Sequence, residues 1–198
     1  MLSEEEIING CKQYNKAAQM ALYKKHVGKM NSVCYRYVNS YDDAKDVVQD
    51  GFIKVFSSID KYKGEGSLEG WIRRIMVNTA LDYLKKKKMF VSIQSLSSGD
   101  GEQDGGDIAN PEEEEDNESL FNAGFTSDEL MNAINQLPDQ YRLIFNMHCI
   151  EKYSHKEISN LLSIKEETSR SRLRRARASL KETLSALLKT KKVNSDMI

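Results

Sequence analysis

The segment YSHKEISNLLSIKEETSRSRLRRARASL, Tyr153–Leu180, encodes two helices and the turn between them. Ser154 and Glu157 stand at capping-box spacing, where a hydroxyl and a carboxylate each satisfy an orphan amide, so a helix starts there. Ile158, Leu161 and Leu162 share one of its faces. The Leu162, Ser163, Ile164 triplet interrupts the repeat, and a longer helix follows from near Lys165, which makes a helix-turn-helix. At about 100° per residue, Leu173, Ala176, Leu180, Leu184 and Leu187 gather on one side of that second helix and Arg170, Arg174, Arg177 and Lys181 on another. One side packs; the other is cationic. Such a helix fits the DNA major groove, with Lys165, Thr168, Ser169, Arg170 and Arg172 directed to base edges and Arg174 and Arg177 to phosphates. From Lys165 to Lys192 ten Lys or Arg face three Glu, an excess that a merely solvated helix would intersperse with acids.

The 198 residues carry a formal net charge of −1, which hides a strong asymmetry. No Lys or Arg occurs between Met89 and Tyr141, whereas Lys85, Lys86, Lys87 and Lys88 form an unbroken run. Positive charge is concentrated where a polyanion could be met. The opening MLSEEEIING is acidic and lacks a signal peptide's pattern, and no apolar run reaches the length of a membrane span, so a cytoplasmic protein without membrane insertion is expected. Cys11, Cys34 and Cys149 are far apart and form no CxxC pair or Cys/His cluster. They read as reduced thiols, with no metal site and no cofactor. No phosphate-binding glycine loop, carboxylate pair or nucleophile with a base at recognisable spacing is present, so no enzyme is expected.

The chain reads as all-α, in two small helical domains joined by a flexible acidic linker. Residues 1–91 form the first. A short helix and a long one run from Glu4 to about Ser40, with Ala17, Ala21, Leu22, Val27, Met30, Val33, Cys34 and Tyr37 at helical spacing and Asn39, Ser40 ending them. In YDDAKDVVQDGFIKVFSSI the residues Ala44, Val47, Val48 and Val55 face a core. Asp46, Gln49, Asp50 and Ile53 occupy the opposite side, an acidic and amide patch around one aliphatic group. Tyr62 lies between Lys61 and Lys63 ahead of Gly64, Glu65 and Gly66, a mobile loop able to stack an unpaired base and hold its phosphates. In the next helix Leu68, Trp71, Ile72, Ile75 and Met76 form the buried stripe, while Arg73, Arg74, Asn78 and Lys85 point away.

Residues 92–126 turn to Ser, Gly, Asp and Glu, a composition too polar and too uniformly charged to offset ordering entropy. Residues 127–192 form the second domain and 193–198 a tail. Ser127 is the expected N-cap of its first helix, without a capping box because Leu130 stands where Glu or Gln is needed. Pro138 is expected in the first turn of the next helix, whose inner face carries Tyr141, Ile144, Phe145 and His148.

Two segments taken together resemble bacterial RNA polymerase sigma factors of the extracytoplasmic-function (ECF) group in the sigma-70 family. DDAKDVVQDGFIKVF with the WIRRIMVNTALDYLKKK helix is similar to the group's region two. LPDQYRLIFNMHCIEKYSHKEISNLLSIKEETSRSRLRRARASL is similar to region four. The resemblance implies that Asp46, Gln49, Asp50 and Ile53 dock on the clamp helices of the polymerase β′ subunit. It implies that Tyr62, Lys63, Arg73, Arg74, Asn78 and Lys85 open and hold the minus-10 promoter element. It further implies that region four reads the minus-35 element and touches the β flap, and that an anti-sigma factor restrains the protein. At the turn of the helix-turn-helix, Ser163, Ile164, Lys165 stand where the family often has Gly-Ile-Ser. The alternative is a helix-turn-helix regulator that acts on operator DNA without docking on polymerase.

Overall fold

A computed structural model describes residues 2–87 and 124–195, with side chains described as far as Lys191, and divides the chain into two compact units at 1–91 and 92–198. Every regular element among the described residues is helical. The linker expected over 92–126 lies outside them except for its last three residues, as does the end of the tail.

The first unit consists of α1 (Glu4–Lys12), α2 (Lys16–Val38), α3 (Tyr41–Ser58), a 3-10 turn (Ile59–Lys61) and α4 (Leu68–Lys86). Each α-helix starts on a polar cap. Ser3 and Glu6 form a capping box, the Asn15 carboxamide accepts from the amides of Ala17 and Ala18, and the Ser40 and Ser67 hydroxyls cap α3 and α4. Asn39 ends α2 in the left-handed region at φ 52°, which lets the chain reverse directly into α3.

The core joins Leu22, Met30, Val33, Cys34 and Tyr37 of α2 with Val47, Val48, Phe52 and Val55 of α3 and Leu68, Ile72, Met76, Ala80 and Leu84 of α4. Burial turns α2 slightly from the phase its apolar spacing suggests. Ala18 is inside and Ala17 outside, and His26, buried with neither ring nitrogen hydrogen-bonded, takes the slot expected for Val27. Likewise α4 buries Leu68, Ile72, Met76 and Ala80, while Trp71 and Ile75 lie half-buried at its margin. Two glycines permit close helix crossings. A Cβ on Gly10 would stand 2.5 Å from that of Ala18, and one on Gly51 would stand 2.2 Å from the Met76 sulfur.

The second unit contains α5 (Ser127–Asn135), α6 (Asp139–Phe145), a π-helical turn (Asn146–Ile150), α7 (His155–Leu162) and α8 (Glu166–Ser195). The N-cap of α5 is Thr126, not Ser127. Counted from Thr126, the third helical residue is Glu129, and the capping box that the Ser127 register denied is present. Glu129 also receives Lys191 of α8 at 2.8 Å, and that ammonium together with the Thr126 amide holds its carboxyl below the usual carboxylate range. Pro138 is itself the N-cap of α6, one position before the expected first turn, because its extended ψ of 142° lies outside the helix. Residues 142–147 are buried on all sides rather than along one stripe. Arg142 is accommodated there by donating to the carbonyls of Asn135 and Leu137 and by pairing with Asp139.

The helix-turn-helix is α7, Ser163–Lys165 and α8. Ser154 and Glu157 make the expected capping box, and Ile158 and Leu162 are buried. Ser163 closes α7 in the left-handed region at φ 55°, and Ser159 Oγ donates to the carbonyl of Ile164 at 2.6 Å. A non-glycine residue in that conformation costs about 1 kcal/mol.

Two substitutions of opposite sign test this packing. Gly10→Ala should destabilise the first unit by about 1 to 3 kcal/mol through overpacking against Ala18, read from denaturant unfolding by the fluorescence of Trp71, the only tryptophan. Ser163→Gly should stabilise the second unit by about 1 kcal/mol, read as slower native-state hydrogen exchange in α7 and α8. A neutral Gly10→Ala or a destabilising Ser163→Gly would contradict these assignments.

Candidate nucleic-acid interface

The accessible side of α8 is set by what its other side must cover. Ser169, Arg172, Leu173, Ala176, Leu180 and Leu184 are buried against the rest of the second unit. Lys165, Arg170, Arg174 and Arg177 are exposed, and Thr168 and Lys181 are half-buried at its flanks. Arg170 pairs with Glu166 one turn earlier at 3.2 Å, a surface contact worth little that a phosphate or base edge could displace.

Two residues expected at base edges are not on that surface. Ser169 has no exposed area, and its hydroxyl lies 2.9 Å from Nδ1 of His155. Arg172, only 1% exposed, points into the unit. Both sit within about 60° of the buried line through Ala176 and Leu180, whereas Arg170, Arg174 and Arg177 are rotated about 80 to 140° from Ser169. Arg175 and Ser171, absent from the expected DNA-facing set, lie on the solvent side as well, Arg175 exposed and Ser171 half-exposed. The spacing of Leu173, Ala176 and Leu180 was the available signal for both points, since it fixes the phase of every other residue on α8.

Around the helix-turn-helix, His148 Nδ1 donates to the carbonyl of Tyr153 at 2.9 Å, and its ring stacks on His155 with centroids 4.4 Å apart. His148 is thus a satisfied boundary residue. Burial pushes the Cys149 thiol up despite the nearby Arg177 guanidinium, so it rests protonated.

In the first unit the loop before α4 is a folded turn. Gly64 and Gly66 take φ of 81° and 77°, values open chiefly to glycine, and the Tyr62 hydroxyl donates to the Gly66 carbonyl at 2.9 Å. The Tyr62 ring is buried and packs on Trp71, centroids 5.5 Å apart. A base cannot stack on it in this conformation, which corrects the expected free aromatic. Lys61 and Lys63 remain exposed on either side. Along α4, Arg74, Asn78 and Lys85 are exposed and Arg73 is half-buried, so these four line one helix and its edge, whereas Tyr62 is buried.

The acidic patch on α3 is formed as its spacing implies. Asp46, Gln49, Asp50 and Ile53 are all exposed, and Ile53 is 65% accessible, which leaves an aliphatic group in water with carboxylates around it. Among the described residues no cluster of His, Cys, Asp or Glu could hold a metal ion, and no helix is long and apolar enough to cross a membrane.

Comparison with known proteins places both units. The family model for Sigma-70 region 2 matches residues 22–89 and that for Sigma-70, region 4 matches residues 127–180, together more than half of the chain. An ECF RNA polymerase sigma-E factor of Haemophilus influenzae is 29% identical over 192 residues, covering 94% of this chain and 98% of its own. One of Escherichia coli K12 is 27% identical over 193 residues, covering 95% and 97%. ECF RNA polymerase sigma factor SigE of Mycolicibacterium smegmatis is 29% identical over 163 residues, which is 82% of this chain and 60% of that protein. Among solved structures, the sigma factor RpoE in complex with the anti-sigma factor NepR, from Bartonella quintana, aligns with a TM-score of 0.49 at 18% identity, covering 84% of this chain and 96% of that one.

The burial pattern on α8 separates two arginines only two positions apart. Arg172→Ala should cost the second unit about 2 kcal/mol or more, as large-to-small core changes do, whereas Arg170→Ala should alter its stability by less than about 0.5 kcal/mol. Hydrogen exchange of α6 and α8 amides measures both. Equal effects would mean that the phase of α8 is wrong.

Proposed function

The chain belongs to the sigma-70 family of RNA polymerase sigma factors, in its ECF group, and on that premise we propose a division of labour among its surfaces. The protein binds core RNA polymerase and directs initiation at promoters through the minus-35 and minus-10 elements. It performs no bond chemistry of its own; catalysis belongs to the polymerase. Residues 1–91 dock on polymerase and engage the minus-10 element, residues 92–126 tether the units, residues 127–192 engage the minus-35 element, and 193–198 form a tail.

In the first unit Asp46, Gln49, Asp50 and Ile53 meet the β′ clamp helices. Their common exposure on one face of α3 supports this, since an aliphatic centre with a charged surround is the usual anatomy of a docking site. Lys63, Arg73, Arg74, Asn78 and Lys85 hold the minus-10 strands. Tyr62 acts by fixing the glycine turn, and it reaches a base only if its bond to Gly66 opens. In the second unit Lys165, Thr168 and Arg170 address base edges and Arg174 and Arg177 address phosphates. Ser169 and Arg172 keep α8 in phase rather than touching DNA.

The protein acts in the cytoplasm, and its partners are core polymerase through the β′ clamp and the β flap, promoter DNA, and an anti-sigma factor that withholds it from polymerase. The observation that carries this assignment is the presence of both surfaces in one chain: a docking patch on α3 and a cationic ridge on α8. An operator-binding regulator needs the second and has no use for the first.

Charge reversal on the patch tests it. Asp50→Lys and Ile53→Ala should each weaken binding to core polymerase at least tenfold, about 1.4 kcal/mol, with Trp71-detected stability unchanged. Arg170→Ala should bind core normally and lose activity on promoters that depend on the minus-35 element. Patch variants that bind core like the parent would contradict the docking assignment.

A further inference from the structure

His148 and His155 join three segments that the minus-35 reading requires to be in register. His148 lies in the π-helical turn and donates to the Tyr153 carbonyl immediately before α7, and His155 is the first residue of α7. The two rings stack at 4.4 Å and 14° between planes, and Nδ1 of His155 meets the fully buried hydroxyl of Ser169 on α8 at 2.9 Å. Ser169 stands next to Thr168 and Arg170 in the turns assigned to bases. The chain His148, His155, Ser169 therefore fixes α8 against α7 at that point.

The surroundings oppose a proton on this chain. From α8, Arg170 and Arg177 face His155 with positive charge, and the one acid facing it, Glu166, is already paired with Arg170. From the π-helical turn comes His148 itself, beside the neutral Cys149 thiol; Lys152 adds positive charge near that thiol. The amino end of α7, where His155 sits, contributes the positive end of a helix dipole. Two imidazolium rings face to face would repel directly. We propose that the stacked His148–His155 pair is a proton-sensitive clasp, which holds the first turns of α8 in their DNA-reading position only while His155 is neutral. His155 is thus a positioning residue for promoter recognition, acting through Ser169.

Burial, then His148 and Arg170, hold the proton affinity of His155 below its ordinary value. The folded state therefore binds fewer protons than the unfolded chain over the interval between the two affinities. The clasp contributes fully above the ordinary value of 6.5 and is lost as pH falls below it toward the lower folded-state value.

The proposal rests on α8 reading the minus-35 element, and the test has one arm that does not. In the full-length protein the three histidines can be followed singly by proton NMR, with assignment by substitution. His155 should titrate below the ordinary range and shift when His148 is replaced by Asn. Titration of His155 in the ordinary range, unmoved by the replacement of His148, overturns the clasp. In the second arm, holoenzyme made with this chain transcribes matched promoters with intact and scrambled minus-35 elements at about pH 8 and at about one pH unit below the His155 titration midpoint found in the first arm. The intact-to-scrambled ratio should fall about fivefold or more for the parent at the lower pH and stay within about twofold for His155→Asn, which keeps an amide where Nδ1 stands. A parent ratio independent of pH, or a parallel fall in His155→Asn, contradicts the proposal. Absence of chain-dependent transcription at about pH 8 contradicts the functional assignment instead and leaves the NMR arm to decide the clasp.

Discussion

The rotational phase of α8 about its own axis is the constraint on which the rest of the second unit depends. A helix this rich in arginine can be held by a small domain only along a narrow apolar line, and Leu173, Ala176, Leu180 and Leu184 supply it. Once that line is buried, the solvent side is no longer free to vary. Arg170, Arg174 and Arg177 must face outward, and Ser169 and Arg172 must face in. A slip of one residue would rotate the helix by about 100° and present a different set of cations. The capping box at Ser154, the left-handed Ser163 and the His155–Ser169 bond all secure this one angle.

The first unit meets a different requirement, because it must present an acidic and a basic surface on neighbouring helices without their cancelling each other. Ion pairs between its helices settle the matter locally. Lys54 joins Asp82, and Lys87 joins Asp43, whose carboxyl it holds below the usual range together with Tyr83. These pairs consume charges at the seams of α3 and α4. Asp46 and Asp50 on one helix and Arg74 on the other remain exposed. Gly51 brings α3 close to Met76 of α4, so the helix carrying the acidic patch and the helix carrying Arg74 share one close crossing.

Much of this was legible in the sequence because it is written in short-range rules. The Ser154–Glu157 capping box, the apolar repeat of α3 and the Asn39, Ser40 break each depend on neighbours within four residues, and each stands where its spacing placed it. What escaped was set by contacts remote in sequence. The burial of Tyr62 depends on Trp71 and on a carbonyl presented by two left-handed glycines, and a residue flanked by lysines and glycines gives no sign of it. Thr126 was hidden because it looked like the end of the linker, though Glu129 three residues on was the available signal. Arg172 was misjudged by residue type: an arginine among arginines reads as surface unless the apolar register is allowed to decide.

The central claim is that this chain supplies promoter specificity to a polymerase that lacks it. Mapping the 5′ ends of RNA made in vitro by purified core enzyme on genomic DNA, with and without the protein, tests it most directly. The account predicts a set of start sites that exists only when the chain is present and shares two upstream elements at a constant spacing. Start sites that do not change on adding the chain, or that share no upstream element, would contradict it.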